Sequence, residues 1–128
     1  MKSPRNPTTI HPPLGTYSHQ VAIDGQARWL VMAGQVGRTE DGNVPADPID
    51  QLSVALENVK RNLEAGGMGI EDVVKVTWYL VGDMDVARRR EVISRWLGET
   101  RPASTLVVVA ALVAPEYRVE VDVWACKA

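Results

Sequence analysis

Ser104-Thr105-Leu106-Val107-Val108-Val109-Ala110-Ala111-Leu112-Val113 is the stretch on which the architecture turns. It is apolar at odd and even positions alike, the pattern of a central strand covered on both faces. Working outward, Tyr117 to Ala125 alternates strictly, with Tyr117, Val119, Val121 and Val123 on one face and Arg118, Glu120, Asp122 and Trp124 on the other. Upstream, Asp83 or Asp85 caps a helix that runs to about Leu97 and stops at Gly98. Val86, Ile93 and Leu97 form its apolar stripe, and Arg90 falls inside that stripe, where the pattern asks for an apolar side chain. Before it, Val73 to Val81, rich in Val, Thr, Trp and Tyr, reads as a strand.

Pro48 opens the clearest element. Asp47 is its expected N-cap, Pro48 suits the first helical position, and Asp50 meets the positive end of the helix dipole. Ile49, Leu52, Leu56, Val59 and Leu63 then step by three and four, and Gly66-Gly67 ends the helix. Ser18 to Ile23 and Trp29 to Val36 flank Asp24-Gly25 and read as an antiparallel hairpin. The first 16 residues, with Pro4, Pro7, Pro12 and Pro13, read as an extended and loosely ordered lead-in to a single domain spanning 1–128.

The order β-β-α-β-α-β-β predicts an α+β fold, a mixed sheet with both helices on one face. Two helices cannot cover two faces, so the doubly apolar strand needs another partner. A second copy of the chain meeting the helix-free face is favoured; the proline-rich N-terminus or an edge loop folding back over it is the alternative.

Composition narrows the classes. The 128 residues are 45% hydrophobic and 23% charged, with 14 basic and 16 acidic side chains and a net charge of −2. Such a chain buries a core of its own without a metal or disulfide and has no overall positive field for nucleic acid or anionic lipid. The lone Cys126, a beginning without a secretory apolar segment, and a longest apolar run, Leu106 to Ala114, far short of a membrane span point to the cytoplasm.

The assembled segments resemble the RidA family, also called YjgF or L-PSP, from Gly15 to Ala125. The likeness is carried by Gly15-Thr16-Tyr17-Ser18, Ala33-Gly34-Gln35-Val36, Asn58-Val59, Leu63-Glu64-Ala65-Gly66, Glu71 to Thr77, Arg101-Pro102-Ala103-Ser104-Thr105 and Val119-Glu120-Val121 in this order and spacing. The resemblance implies a chorismate-mutase-like fold, a homotrimer with an inner barrel of sheets, and small-molecule clefts between subunits. It also implies hydrolysis of reactive enamines and imines, such as 2-aminoacrylate, to keto acid and ammonia without a cofactor.

Carried over residue by residue, the resemblance places Tyr17 near the cleft, Gly34 where backbone approaches ligand, and Glu120 as the acid that positions water. The family's carboxylate-clamping Arg directly follows the Pro-Ala pair; here that position is Ser104, and Arg101 stands before the proline instead. Ala33 and Leu106 replace a Ser and a Cys, and Arg90 aligns approximately with an Asn. The expected pocket keeps the family's shape with altered chemistry. Catalytic candidates are Glu120 and Tyr17, and substrate-binding candidates are Gly34, Arg90, Ser104 and Arg101.

Each candidate has a plainer reading. Arg90 either reaches the cleft and restores the lost cation or, the favoured reading, snorkels to solvent or pairs with a nearby acid. Glu120 and Asp122 share a strand face and could divide acid and base roles; more often such a pair is a polar rim or an inter-subunit hydrogen-bonding set. Tyr17 orients a ligand or water, or is a half-buried aromatic with a bonded tip. His11 and His19 support no triad with Ser104 or Thr105, and with Cys126 they lack metal-ligand spacing. Arg88 and Arg89 read as a solvated face.

Three function classes follow. The first is an imine or enamine deaminase acting on a small carboxylated metabolite, its activity altered or lost with the clamp. The second is a non-catalytic metabolite-binding module, and the third an endoribonuclease or translation inhibitor, against which the acidic balance counts.

Overall fold

The computed structural model describes residues 1–128. Helix α1 (Pro48–Ala65) starts where the Asp47 carboxylate accepts the Ile49 N–H at 2.8 Å and ends with the Gly66 N–H on the carbonyls of Asn62 and Leu63. Its stripe is buried as patterned, with Leu52, Val59 and Leu63 fully enclosed. The strands are β1 (Lys2–Arg5), β2 (Gln20–Ile23), β3 (Arg28–Val31), β4 (Gln35–Val36), β5 (Val73–Val81), β6 (Ala103–Val109) and β7 (Val119–Lys127). Helix α2 (Val86–Leu97), capped by Asp85 through the Arg88 N–H, connects β5 to β6.

One mixed sheet of five strands places β3, β7, β5 and β6 side by side, with β4 also paired to β7. Only β5 and β6 are parallel; α2 supplies the crossover that a parallel pair requires. Val119, Val121 and Val123 of β7 and Val76, Trp78 and Leu80 of β5 meet the α1 stripe, together with Ile93 and Leu97 of α2. Burying each such Leu or Val contributes about 1.5–3 kcal/mol, so this one layer holds the fold. Glu120, Asp122 and Trp124 of β7 therefore face away from the helices, beside Tyr79, Thr77 and Lys75 of β5. No helix is long and apolar enough to cross a membrane.

Several expectations change. Gly25 does make a turn, with φ of 78°. The segments it joins nevertheless part: β2 pairs with β1, and β3 pairs with the C-terminal half of β7. Alternation tells which face a strand buries but not which edge it joins, and the β7 edge lets Leu30 lie beside buried Ala125. The run from Trp29 to Val36 is two strands, broken at Met32–Gly34. The lead-in is extended but ordered, since Lys2–Arg5 forms a paired strand. The last strand begins at Val119, with Tyr117 buried just before it. The decisive apolar stretch is a strand only to Val109, and within one chain it lies at the edge of the sheet, not its centre. Leu106 and Val108 on the helix side and Val107 on the other remain 41%, 68% and 37% exposed. Val86 is likewise exposed, so the buried part of α2 is its C-terminal half.

Candidate functional site

A cleft of about 500 Å³ opens where α2, β6 and the loop Leu14–Tyr17 meet. Its size falls within the range of small-molecule sites. Because β5 and β6 are parallel and in register, Ser104 and Leu106 project to the same side as Val76 and Trp78, toward α2. Ser104 is fixed there: its Oγ accepts the indole N–H of buried Trp78 at 2.9 Å. The serine O–H proton remains free to donate into the cleft.

Tyr17 reaches the same cleft from the opposite wall. Its phenolic oxygen accepts the Leu14 N–H at 3.0 Å, which also leaves the O–H as a donor. The loop is held in place by ties just past its Tyr17 end. The Ser18 N–H donates to the Pro102 carbonyl at 3.0 Å, and the His19 N–H donates to Asn6 Oδ1 at 2.9 Å. His19 Nε2 donates to the His11 carbonyl at 2.8 Å, and the His19 ring stands edge-on to both Tyr17 and His11. The two histidines shape the wall; neither lines the cleft.

Arg90 lines the cleft as well, and so does Arg89. Arg88 behaves differently, crossing to α1 to pair with Asp47 at 3.2 Å. The solvated-face reading of Arg89 is thus corrected: it is half-buried, on the row of four-residue steps Arg89, Ile93, Leu97, whose later members are core. That row was the signal in the sequence that could have found it. No Asp or Glu lines the cleft. Two guanidiniums and several hydroxyls without an opposing carboxylate give the cleft a positive, donor-rich lining.

Gly34 and Glu120 form a second cluster, on the helix-free face, and neither lines this cleft. They are packed tightly, because a Cβ on Gly34 would stand 2.1 Å from Glu120 Oε2. Only glycine leaves room for the carboxylate to lie over that backbone. Glu120 is half-buried, opposite Tyr79 on β5 and Val36 on β4. Asp122, two residues on, sits opposite Thr77 on the same face. Arg101 joins neither group. It lines a separate depression, and its Nη1 donates to the carbonyls of Gly98 and Thr100 at 2.8 and 2.9 Å, which ties the guanidinium to backbone away from the cleft.

A mixed sheet with two helices on one face and a donor-rich cleft at its edge defines the class as a two-layer α+β domain. Comparison with known proteins is specific. The sequence profile described as endoribonuclease L-PSP matches residues 8–127. A RutC family protein of Pyrococcus horikoshii is 38% identical over 102 residues, covering 78% of this chain and 79% of its own. TdcF of Escherichia coli K12, named as a reactive intermediate deaminase, is 36% identical over 76 residues, 57% of this chain and 59% of its own. Among solved structures, YyfB of Yersinia pestis, a Rid family protein, superposes with a TM-score of 0.86 at 28% identity over 98% of both chains. E. coli TdcF with bound serine gives 0.73 at 28% identity over 97% of this chain and 94% of its own. The chain belongs to the L-PSP family, the family also called RidA or YjgF.

Proposed function

We propose that the protein binds and hydrolyses small anionic imines and enamines, in clefts completed between three copies of the chain. The observation that carries this reading is the convergence of Arg90, Ser104 and Tyr17 on one cleft that contains no acid. The family's clamping position is Ser104, and Arg90 supplies the cation from the neighbouring helix instead. The likeness to TdcF supports the reaction class. The net charge of −2 favours a small metabolite over RNA, and the buried, unpaired Cys126 suits a reducing cytoplasm.

The apolar surface left bare by one chain supports assembly. Trp29 and Trp124 stand edge-on at 6.3 Å on the helix-free face, 47% and 45% exposed, near exposed Val31. Copies meeting through this face and through the β6 edge cover that surface. The same contact brings Gly34 and Glu120 of one copy to the cleft of the next, uniting the two clusters that a single chain keeps apart.

In such a site Arg90 forks onto the substrate carboxylate while the Ser104 and Tyr17 hydroxyls fix its orientation. Protonation of an enamine at carbon gives the iminium. Water held by Glu120 attacks the carbon of the C=N bond; a C–O bond forms, the C=N π pair moves to nitrogen, and Glu120 takes a proton from the water. Glu120 passes that proton to the amine, the C–N bond breaks and ammonia leaves; the hydroxyl gives its remaining proton to Glu120 and thence to solvent, returning the one taken up in forming the iminium, and the oxygen becomes the keto group. Imine and water become keto acid and ammonia with nothing left over.

The test supplies enzymatically generated 2-aminoacrylate and follows ammonia and pyruvate. Release well above the buffer rate is expected, falling about a hundredfold in Arg90→Ala, the usual consequence of losing a forked contact in a desolvated site. A buffer rate with a 2-oxo acid still raising the melting temperature would reduce the protein to a binding module. A monomer in solution at assay concentration would remove the shared cleft.

A further inference from the structure

The arginines of this chain divide by what they touch. Arg28, Arg101 and Arg118 donate to backbone carbonyls, Arg38 to the Tyr117 phenol, and Arg61, Arg88 and Arg95 pair with carboxylates. Arg5 lies on the terminal strand β1. Arg89 and Arg90 are the remaining two. They are adjacent on α2, both line the same cleft, and neither guanidinium has a side-chain or backbone acceptor within the chain.

Like charges that line one cleft repel, and the repulsion grows where apolar walls such as Ile93, Leu97 and Leu106 displace water. A single carboxylate occupies one fork and neutralises one charge. The second guanidinium lining the cleft is then left without a partner. The two also sit at different depths: Arg89 is half-buried on the row that leads to core residues Ile93 and Leu97, and Arg90 is exposed. At about 500 Å³ the cleft has room for a ligand larger than a three-carbon acid.

We infer that the cleft selects ligands with two anionic groups, the imine of a 2-oxo dicarboxylic acid or a counterpart carrying phosphate in place of the second carboxylate. Arg90, nearer the mouth, holds the carboxylate beside the reacting carbon. Arg89 holds the distal anion farther in. Arg89 is thereby the specificity-determining residue, and the inference rests on the reading above that this cleft takes an anionic substrate.

Isothermal titration of the intact protein with 2-oxobutanoate, 2-oxoglutarate and 3-phosphohydroxypyruvate tests it. At least one dianion is expected to bind tenfold or more tighter than the monoanion, and the tighter of the two identifies the distal group as carboxylate or phosphate. In Arg89→Ala and Arg89→Gln, each checked for the parent's melting temperature without ligand, that ratio falls below about threefold. Arg88→Ala, a control on the same helix that pairs outside the cleft, keeps it. All three ligands binding alike would overturn the dianion selection and leave the proposed function standing. Binding of none would overturn both, and a ratio unchanged in both Arg89 variants would overturn the role of Arg89.

Discussion

Helices α1 and α2 lie on the same side of one sheet, and both break their apolar pattern with a polar residue, yet the two breaks have opposite meanings. On α1 the break is Gln51, 1% exposed, and every polar atom of its amide is used. Its Nε2 donates to the carbonyls of Pro45 and Glu116, each at 2.8 Å, and its Oε1 accepts the Arg118 N–H at 2.8 Å. It staples the segment entering the helix to the segment entering β7. On α2 the breaks are Arg89 and Arg90, and nothing in the chain answers them. A polar residue out of pattern and fully bonded builds the fold, whereas one out of pattern and unbonded adds nothing to it and, on the function proposed above, is kept for the ligand.

That contrast can be broken by measurement. Gln51→Leu strips an acceptor from the Arg118 N–H and a donor from two carbonyls; we expect a loss of about 3 kcal/mol in urea unfolding, since each buried group left unpaired costs about 1–3 kcal/mol. A loss under 1 kcal/mol would mean that Gln51 is no staple. Ser104→Ala comes next. It orphans the Trp78 indole N–H, for an expected loss of about 1–2 kcal/mol, together with weaker anion binding from the missing donor. Arg90→Ala should stay within about 0.5 kcal/mol of the parent, because the side chain has no partner to lose. A large destabilisation would place Arg90 with Gln51 as a fold-building residue.

The smallest effect is a pH dependence at the start of α1. The Ile49 N–H, and after it Arg88, hold the Asp47 carboxyl below its ordinary value of 3.8. A carboxylate depressed in the folded state adds stability that is present above that ordinary value and lost as pH falls through the lower folded one. Asp47→Asn keeps a capping acceptor but cannot titrate. The parent should therefore exceed the variant slightly at neutral pH, and the excess should fade below pH 3.8, as read from melting temperatures. Parallel curves down to pH 2 would remove the Asp47–Arg88 pair from the account.

The site was legible in part. Arg90 stood out in the sequence because helical periodicity is strict and a charge within a stripe is conspicuous. Arg89 was passed over, although it continues the Ile93–Leu97 row, because three consecutive arginines resemble a solvated face. Arg101 was legible as a nearby cation but not as one whose Nη1 is tied to the Gly98 and Thr100 carbonyls outside the cleft. The role of His11 and His19 in bracing Tyr17 was not legible, because it depends on a loop closing back across eight residues.

By itself the sequence determined what local chemistry determines: the limits of α1 between Asp47 and Gly66, the buried faces of β5 and β7, and the family to which the spacing of its motifs belongs. Those features are set by caps, glycine stops and periodicity, which act over a few residues. Tertiary structure alone decided that β2 turns to the N-terminus while β3 joins β7, that β6 lies at an edge, and that Ser104, Tyr17 and two arginines meet in one cleft while Glu120 and Gly34 meet elsewhere. Those outcomes depend on which distant edges and walls compete for the same backbone, and periodicity carries no record of that competition.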